Sequence, residues 1–133
     1  MWSMKKPADL AAQLLAKPAN DLAAARIGLE HEAPLDTVCF HVQQAAEKLL
    51  KAALAAKEVE HPFTHELREL MELGLPHYPV LEEFTATVVD YTEFAVRLRY
   101  DDLPWVTREE AEKAFREVRR MQEALLPLLP LTR

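Results

Sequence analysis

The segment CFHVQQAAEKLLKAAL, residues 39–54, decides the fold. Around it, apolar residues recur at alternating steps of four and three, as one face of an α-helix requires. This apolar seam consists of Val38, Val42, Ala45, Leu49 and Ala52. A row of polar residues recurs at the same steps beside the seam, and we call it the polar stripe: Thr37, His41, Gln44, Lys48 and Lys51. The pattern predicts a continuous helix that buries its seam and leaves the stripe along one accessible ridge.

The composition favours a single all-α domain over residues 1–133. Ala, Leu and Glu dominate, and all three favour helices. Only two Gly residues occur, too few for the tight turns of an all-β fold or for a phosphate-binding loop. No stretch alternates with a period of two. Half of the residues are apolar, which is enough for one core in a chain of 133 residues.

Charge, cysteine content and hydropathy limit the location and the ligands. The single cysteine, Cys39, allows no intramolecular disulfide and fits a reducing compartment. The N-terminal segment lacks an uninterrupted apolar core, and no run of 18 apolar residues occurs, so we expect a mature cytoplasmic protein without a membrane span. The net charge of −6 argues against general nucleic-acid binding and leaves room for a local basic cleft.

The first two helices have uncertain starts. Residues 8–32 are compatible with one kinked helix or with two, in which case residues 1–17 hold a separate short helix. Asp36 or Thr37 is expected to cap the second helix, which runs to about Lys57.

Three further helices follow. Thr64 is expected to cap a short third helix, closed by Gly74 in the C′ position. A fourth runs from near Pro79 to about Tyr100. The fifth begins with a capping box in the sequence TREE, residues 107–110. Short loops then predict an up-and-down bundle of four long antiparallel helices plus one short helix.

Four segments together resemble the HEPN domain family, over roughly residues 10–126. FHVQQAAEKLLKAAL resembles the signature helix of that family, and LAKPANDLAAARIGLEHE its first helix. THELREL resembles the start of its short helix, and YTEFAVRLRYDD the helix that ends in RY. The resemblance implies a helical bundle that commonly dimerises and is often encoded beside a minimal nucleotidyltransferase. Many such pairs act as toxin and antitoxin, and many members are RNases that need no metal.

The usual RNase motif of that family is missing from its expected place. It consists of an Arg followed by a His four to six residues later, often with a Tyr beyond. Arg97, Arg99 and Tyr100 end the fourth helix, but no His follows within reach. Only Arg26 and His31 match the spacing, and on a helix they would lie about 140° apart. Whether the protein is an enzyme therefore stays open.

The candidate site residues come from the stripe, the third helix and the end of the fourth. The catalytic candidates are His41, His65 and Arg97. The ligand-binding candidates are His41, Gln44, Lys48, Lys51, Arg97, Arg99 and Tyr100. His61 and His65 are four apart, but no third ligand is indicated, so we expect no metal and no cofactor. Cys39 lies near a helix N-terminus, where a thiolate would be favoured, yet we interpret it as a structural thiol.

Arg116, Arg119 and Arg120 share one face of the fifth helix. They would suit a phosphate backbone, but neighbouring Glu residues favour a solvated, salt-bridged face.

Three functions remain. The first is a homodimeric protein that binds a minimal nucleotidyltransferase, with nucleotide or RNA as a further ligand, in a toxin–antitoxin-like module. The second is a metal-independent RNase toxin that uses a displaced His. The third is a non-catalytic scaffold or assembly subunit.

Overall fold

The computed structural model describes residues 7–61, 63–64, 66–88 and 106–129, and within these ranges all regular structure is helical. The helices are α1 (Pro7–Glu30), α2 (Leu35–Ala56), α3 (Leu67–Gly74), α4 (described over residues 85–88) and α5 (Arg108–Leu125). Two 3₁₀ helices, Pro79–Phe84 and Leu126–Leu128, precede α4 and follow α5. No helix of the described part is long and apolar enough to cross a membrane.

α1 and α2 form an antiparallel hairpin. α1 runs without interruption through Pro18, so of the two alternatives for this region the structure has one helix. A Cβ atom at Gly28 would lie 2.9 Å from Cγ2 of Val38, so the glycine allows the two helices to approach closely near the connection. Farther from it, Asp21 contacts Lys48, as an antiparallel register requires.

Both helices end with the six-to-one backbone hydrogen bond of a Schellman motif, closed around a left-handed residue. The amide of Ala33 donates to the Gly28 carbonyl at 2.8 Å, and the amide of Val59 donates to the Leu54 carbonyl at 2.9 Å. The left-handed residue is Glu32 in the first motif and Glu58 in the second, each with φ of 55°. These motifs satisfy helix carbonyls that would otherwise lack a donor.

α5 runs antiparallel to α1. The Arg108 guanidinium, at the start of α5, donates to the Leu29 carbonyl near the end of α1. The predicted capping box is confirmed, because the Thr107 hydroxyl accepts from the Glu110 amide while the Glu110 carboxylate accepts from the Thr107 amide, both at 3.1 Å. The two helices therefore align along their length, and α2 and α5 point the same way.

α2 is the central helix, and its predicted seam is confirmed. All five seam residues are buried. The Tyr78 hydroxyl is buried against α2 and donates to the Ala53 carbonyl at 2.8 Å, one of the last carbonyls of the helix. Burial raises the pKa of Tyr78 above its ordinary value, and the phenol keeps the proton that it donates.

Two predicted caps are wrong. The residue at the N-cap of α2 is Pro34, while the Asp36 carboxylate accepts from the amide of its neighbour Thr37. α3 begins three residues after Thr64, whose hydroxyl accepts from the Glu66 amide at 3.0 Å in the preceding turn. In both cases a short polar side chain accepts from a nearby backbone amide but does not occupy the N-cap position.

Gly74 and the fourth helix also differ from expectation. Gly74 is the last residue of α3 and has a negative φ, so it is not a C′ glycine. Its lack of a side chain makes room for Leu81, whose Cδ1 would lie 2.9 Å from an added Cβ atom. The segment Pro79–Phe84 is a 3₁₀ helix where we predicted α-helix. Residues 89–105 lie outside the described residues, so the bundle of four long antiparallel helices stays a prediction.

Candidate functional site

A buried carboxylate organises the middle of the α1–α2 hairpin. α1 places Asp21 on the side that packs against α2, next to the core residues Leu22 and Ala25. One oxygen of Asp21 accepts from Nδ1 of His41 at 2.9 Å, and the other accepts from Nζ of Lys48 at 2.8 Å. Two members of the polar stripe are therefore held by one residue of the neighbouring helix.

The contact with Asp21 fixes the orientation of the His41 imidazole. Because an ionised carboxylate only accepts hydrogen bonds, Nδ1 donates in this contact, and in the neutral ring Nε2 has the lone pair. The His41 side chain is 30% exposed, and its ring packs edge-on against Phe40 with 5.5 Å between ring centroids. An imidazole held in this way can accept a proton at Nε2 or bind a partner there.

The other stripe residues lie farther along α2. Nζ of Lys51 is 3.7 Å from a carboxylate oxygen of the buried Glu47. Gln44 is half-buried and has no hydrogen-bond partner in the part of the chain that the structure describes. Because Lys48 and Lys51 each face a carboxylate, the stripe has almost no net charge. It is an ordered polar surface rather than a basic patch.

Sequence reasoning missed Asp21. It is named only within the string that resembles the first helix of the HEPN family. Its position offered a signal, because Asp21 shares one helical face with Ala25 and Gly28, both of which are buried. A carboxylate on a buried face requires a donor from a neighbouring helix.

Four of the predicted site residues, namely His65, Arg97, Arg99 and Tyr100, lie outside the described residues. Arg26 and His31, the pair with the RNase spacing, do not join the Asp21 network. Arg26 is exposed on α1, and His31 is exposed in the turn after that helix.

A second concave surface lies between α1 and α5. It is an open cleft of about 180 Å³, lined from α1 by Leu22, Arg26 and two alanines, and from α5 by Phe115, Arg119 and Gln122. The salt-bridged face predicted for α5 is present in part. Arg120 pairs with Glu117 at 2.9 Å, and Arg119 lies 3.5 Å from Glu123.

Cys39 is a structural thiol. Burial raises its pKa to about 11, and the carboxylates of Glu110 and Asp36 act in the same direction. Desolvation therefore outweighs any stabilisation of the thiolate by the helix N-terminus, in agreement with the interpretation of Cys39 as a structural thiol. Among the described residues, no group of three His, Cys, Asp or Glu side chains is placed to hold a metal ion.

These features define an all-helical domain whose candidate site is an ion network between two helices. Comparison with known protein families then gives its family. The model of the HEPN domain matches residues 11–127, so the chain belongs to the HEPN domain family. This confirms the resemblance and indicates a helical domain with a role related to nucleotides or RNA. Comparisons with curated proteins and with solved structures gave no match.

Proposed function

We propose that the protein is a homodimeric HEPN-type binding protein that engages a minimal nucleotidyltransferase in a toxin–antitoxin-like module, with nucleotide or RNA as a further ligand. The face it uses is the solvent side of α2. The observation that carries this proposal is the internal pairing of the stripe, in which both lysines are neutralised while their side chains stay accessible. The Lys48 side chain is still 31% exposed.

Such a surface suits a protein partner better than a phosphate backbone. Phosphate binding needs cations that are free to replace counterions. Protein interfaces are instead depleted of uncompensated charge at their centre and rely on rigid, precisely placed groups. α2 is rigid because most of its circumference is buried. The Gln44 amide has no partner among the described residues and can bond to another protein.

Aromatic side chains border the stripe at both ends. Phe40 is 54% exposed beside His41. Phe63 is 94% exposed, and the Lys51 ammonium lies 6.0 Å from the centre of its ring. Phe40 and Lys51 are eleven residues apart, which is three helical turns, so both lie on one line along α2. Exposed aromatic residues next to a polar surface are typical anchors of protein interfaces.

Sedimentation and co-purification test the proposal. Phe40→Asp is expected to weaken the homodimer or the nucleotidyltransferase complex by about tenfold or more, since a charge would enter the interface. Ile27→Asp is the matched control, because Ile27 is also 54% exposed but lies on α1, about a third of a turn from Asp21. The proposal is contradicted if the wild-type protein sediments as a monomer and does not co-purify with a nucleotidyltransferase encoded beside it. That result would support the scaffold alternative.

The Asp21–His41 contact favours one second candidate, a metal-independent RNase. Asp21 orients His41 with Nε2 available as a base for a ribose 2′-hydroxyl. RNA cleavage in EDTA that is lost in His41→Ala and in Arg97→Ala would establish this activity. Cleavage that survives in both variants would eliminate His41 and Arg97 as its site.

A further inference from the structure

Two pairs of cations differ in how completely carboxylates neutralise them. On α2, Lys48 and Lys51 face carboxylates at 2.8 and 3.7 Å. On the α1–α5 side, Arg26 has no ion pair or hydrogen bond through its side chain within the described part of the chain. The partner of Arg119 there is Glu123 at 3.5 Å, and both of these side chains are more than half exposed. Water screens such a pair strongly, so Arg119 keeps most of its charge available.

Arg26 and Arg119 line the same cleft between α1 and α5. Two like charges that face one small cleft repel each other, and nothing in the described surroundings neutralises them fully. An oxyanion between them would remove this repulsion. A guanidinium presents N–H donors in a planar fork that matches the oxygens of a phosphate, and the Gln122 side-chain amide adds another donor.

The lining of the cleft is apolar between these donors. Leu22 is buried and Phe115 is half-buried, and both line the cleft. Ala19 and Ala23 are exposed and small, so their side chains leave the α1 side of the cleft open to a ligand. A flat aromatic group can therefore lie against Phe115 while an attached phosphate reaches the arginines.

The size of the cleft limits the ligand. At about 180 Å³ it is smaller than the pockets of roughly 300–1,000 Å³ that enclose drug-sized ligands. It can hold one phosphate and part of one base, with the remainder of the ligand in solvent.

We propose that this cleft, and not the polar stripe, binds a nucleoside phosphate, with the phosphate on Arg26 and Arg119 and the base against Phe115. The inference rests on the proposed function only in taking nucleotide or RNA as the ligand. The stripe keeps its role as the protein-binding face. Asp21 and Arg26 are five residues apart and point about 140° away from each other around α1, so the two surfaces are separate.

Calorimetric titration of the full chain tests this site with three probes: AMP, a single-stranded decaadenylate RNA and inorganic phosphate. Arg26→Glu is expected to weaken binding by about tenfold or more, because one charge-assisted hydrogen bond is lost and a repulsion is added. Arg68→Glu is the matched control. It changes the net charge equally, and Arg68 is exposed on α3, which packs against α2 and not against the cleft helices α1 and α5. Its effect should stay below about twofold for AMP, since a distant exposed charge is screened.

The probes distinguish the source of the phosphate. AMP binding that depends on Arg26 supports the site with a free nucleotide as ligand. If only the decaadenylate binds, and its binding also depends on Arg26, the result supports the cleft site with RNA as its ligand. Equal losses in Arg26→Glu and Arg68→Glu would overturn the proposal, since they would show non-specific electrostatics. If inorganic phosphate binds as tightly as AMP, the base adds no affinity, and the proposed contact of the base with Phe115 is wrong.

Failure of this site is distinguishable from failure of the proposed function. If Phe40→Asp disrupts the dimer or the nucleotidyltransferase complex while no probe binds in the cleft, only the nucleotide site is wrong. If Arg26-dependent binding is present in a monomer that has no partner, the cleft stands and the proposed function is wrong.

Discussion

Replacing Asp21 tests whether the α1–α2 network stabilises the fold as the geometry implies. Asp21→Ala removes the acceptor of two hydrogen bonds, one from His41 at 2.9 Å and one from Lys48 at 2.8 Å. Both donor side chains are about 30% exposed, so each can turn towards water, and no charge is left buried without a partner. The loss is then the net value of two partly buried bonds, about 1 kcal/mol each, or roughly 2 kcal/mol in all.

Urea unfolding followed by circular dichroism measures this loss. For a chain of this length, about 2 kcal/mol corresponds to a decrease in Tm of roughly 6 °C. Asp36→Ala is the matched control, because Asp36 is exposed and its carboxylate accepts only from the amide of Thr37. We expect it to cost about 0.5 kcal/mol, mainly through the helix dipole.

A double-mutant cycle separates the two contacts. Asp21→Asn keeps the size of the side chain and removes its charge, and Lys48→Met removes the ammonium. The coupling energy is expected to be about 1 kcal/mol. If Asp21→Ala costs no more than Asp36→Ala, or if the coupling is zero, the network does not stabilise the hairpin and our account of the stripe is refuted.

Three further changes have defined outcomes in urea unfolding. Gly28→Ala should lower stability by about 1 kcal/mol despite its better helix propensity, because the added Cβ atom would meet the buried Val38 side chain at 2.9 Å. Thr107→Ala should lower stability by about 1 kcal/mol through loss of the capping box. Folding favours the protonated form of Cys39, since burial raises its pKa from 9.0 to about 11. The contribution of this thiol to the free energy of unfolding is therefore complete below about pH 9 and is lost as the pH rises through 11. Between pH 8 and 10.5 the wild type should lose about 1–2 kcal/mol more than Cys39→Ala.

The parts of the fold that depend on periodicity could be predicted from the sequence. The α2 seam repeats over four turns, and every seam residue is buried because neighbouring helices cover that face. The capping box of α5 was equally legible, since its two bonds join residues three apart. Signals of this kind are local, and the tertiary structure did not override them.

Glycine placement could not be predicted by the same rules. The usual rule assigns glycine to the left-handed residue after a helix, yet Glu32 and Glu58 occupy those positions. A glutamate in this conformation costs about 1 kcal/mol or slightly more, which a Schellman motif can offset. The contact of Gly28 with Val38 has no such substitute, because any side chain would hold the two helices apart.

Only the α2 residues of the candidate site could be predicted from the sequence. His41 and Lys48 were identified from their shared spacing on α2, but Asp21 lies 20 residues before His41, and sequence spacing carries no information about such a pair. The neutralisation of Lys48 by Asp21 could therefore not be predicted, because the sequence shows the cations of the stripe without the carboxylate of the neighbouring helix.

The pairing of charges separates the two surfaces by the kind of partner each can bind. In a chain with net charge −6, an unpaired cation is where a phosphate gains most, because the rest of the molecule repels it. The α2 face attracts phosphate only weakly, since Asp21 and Glu47 neutralise its lysines. For the same reason a folded partner can cover this face without burying an unpaired charge. The α1–α5 cleft keeps the attraction through Arg26. An apolar partner that covered this cleft would bury the Arg26 guanidinium without a counter-charge, whereas a phosphate would neutralise it.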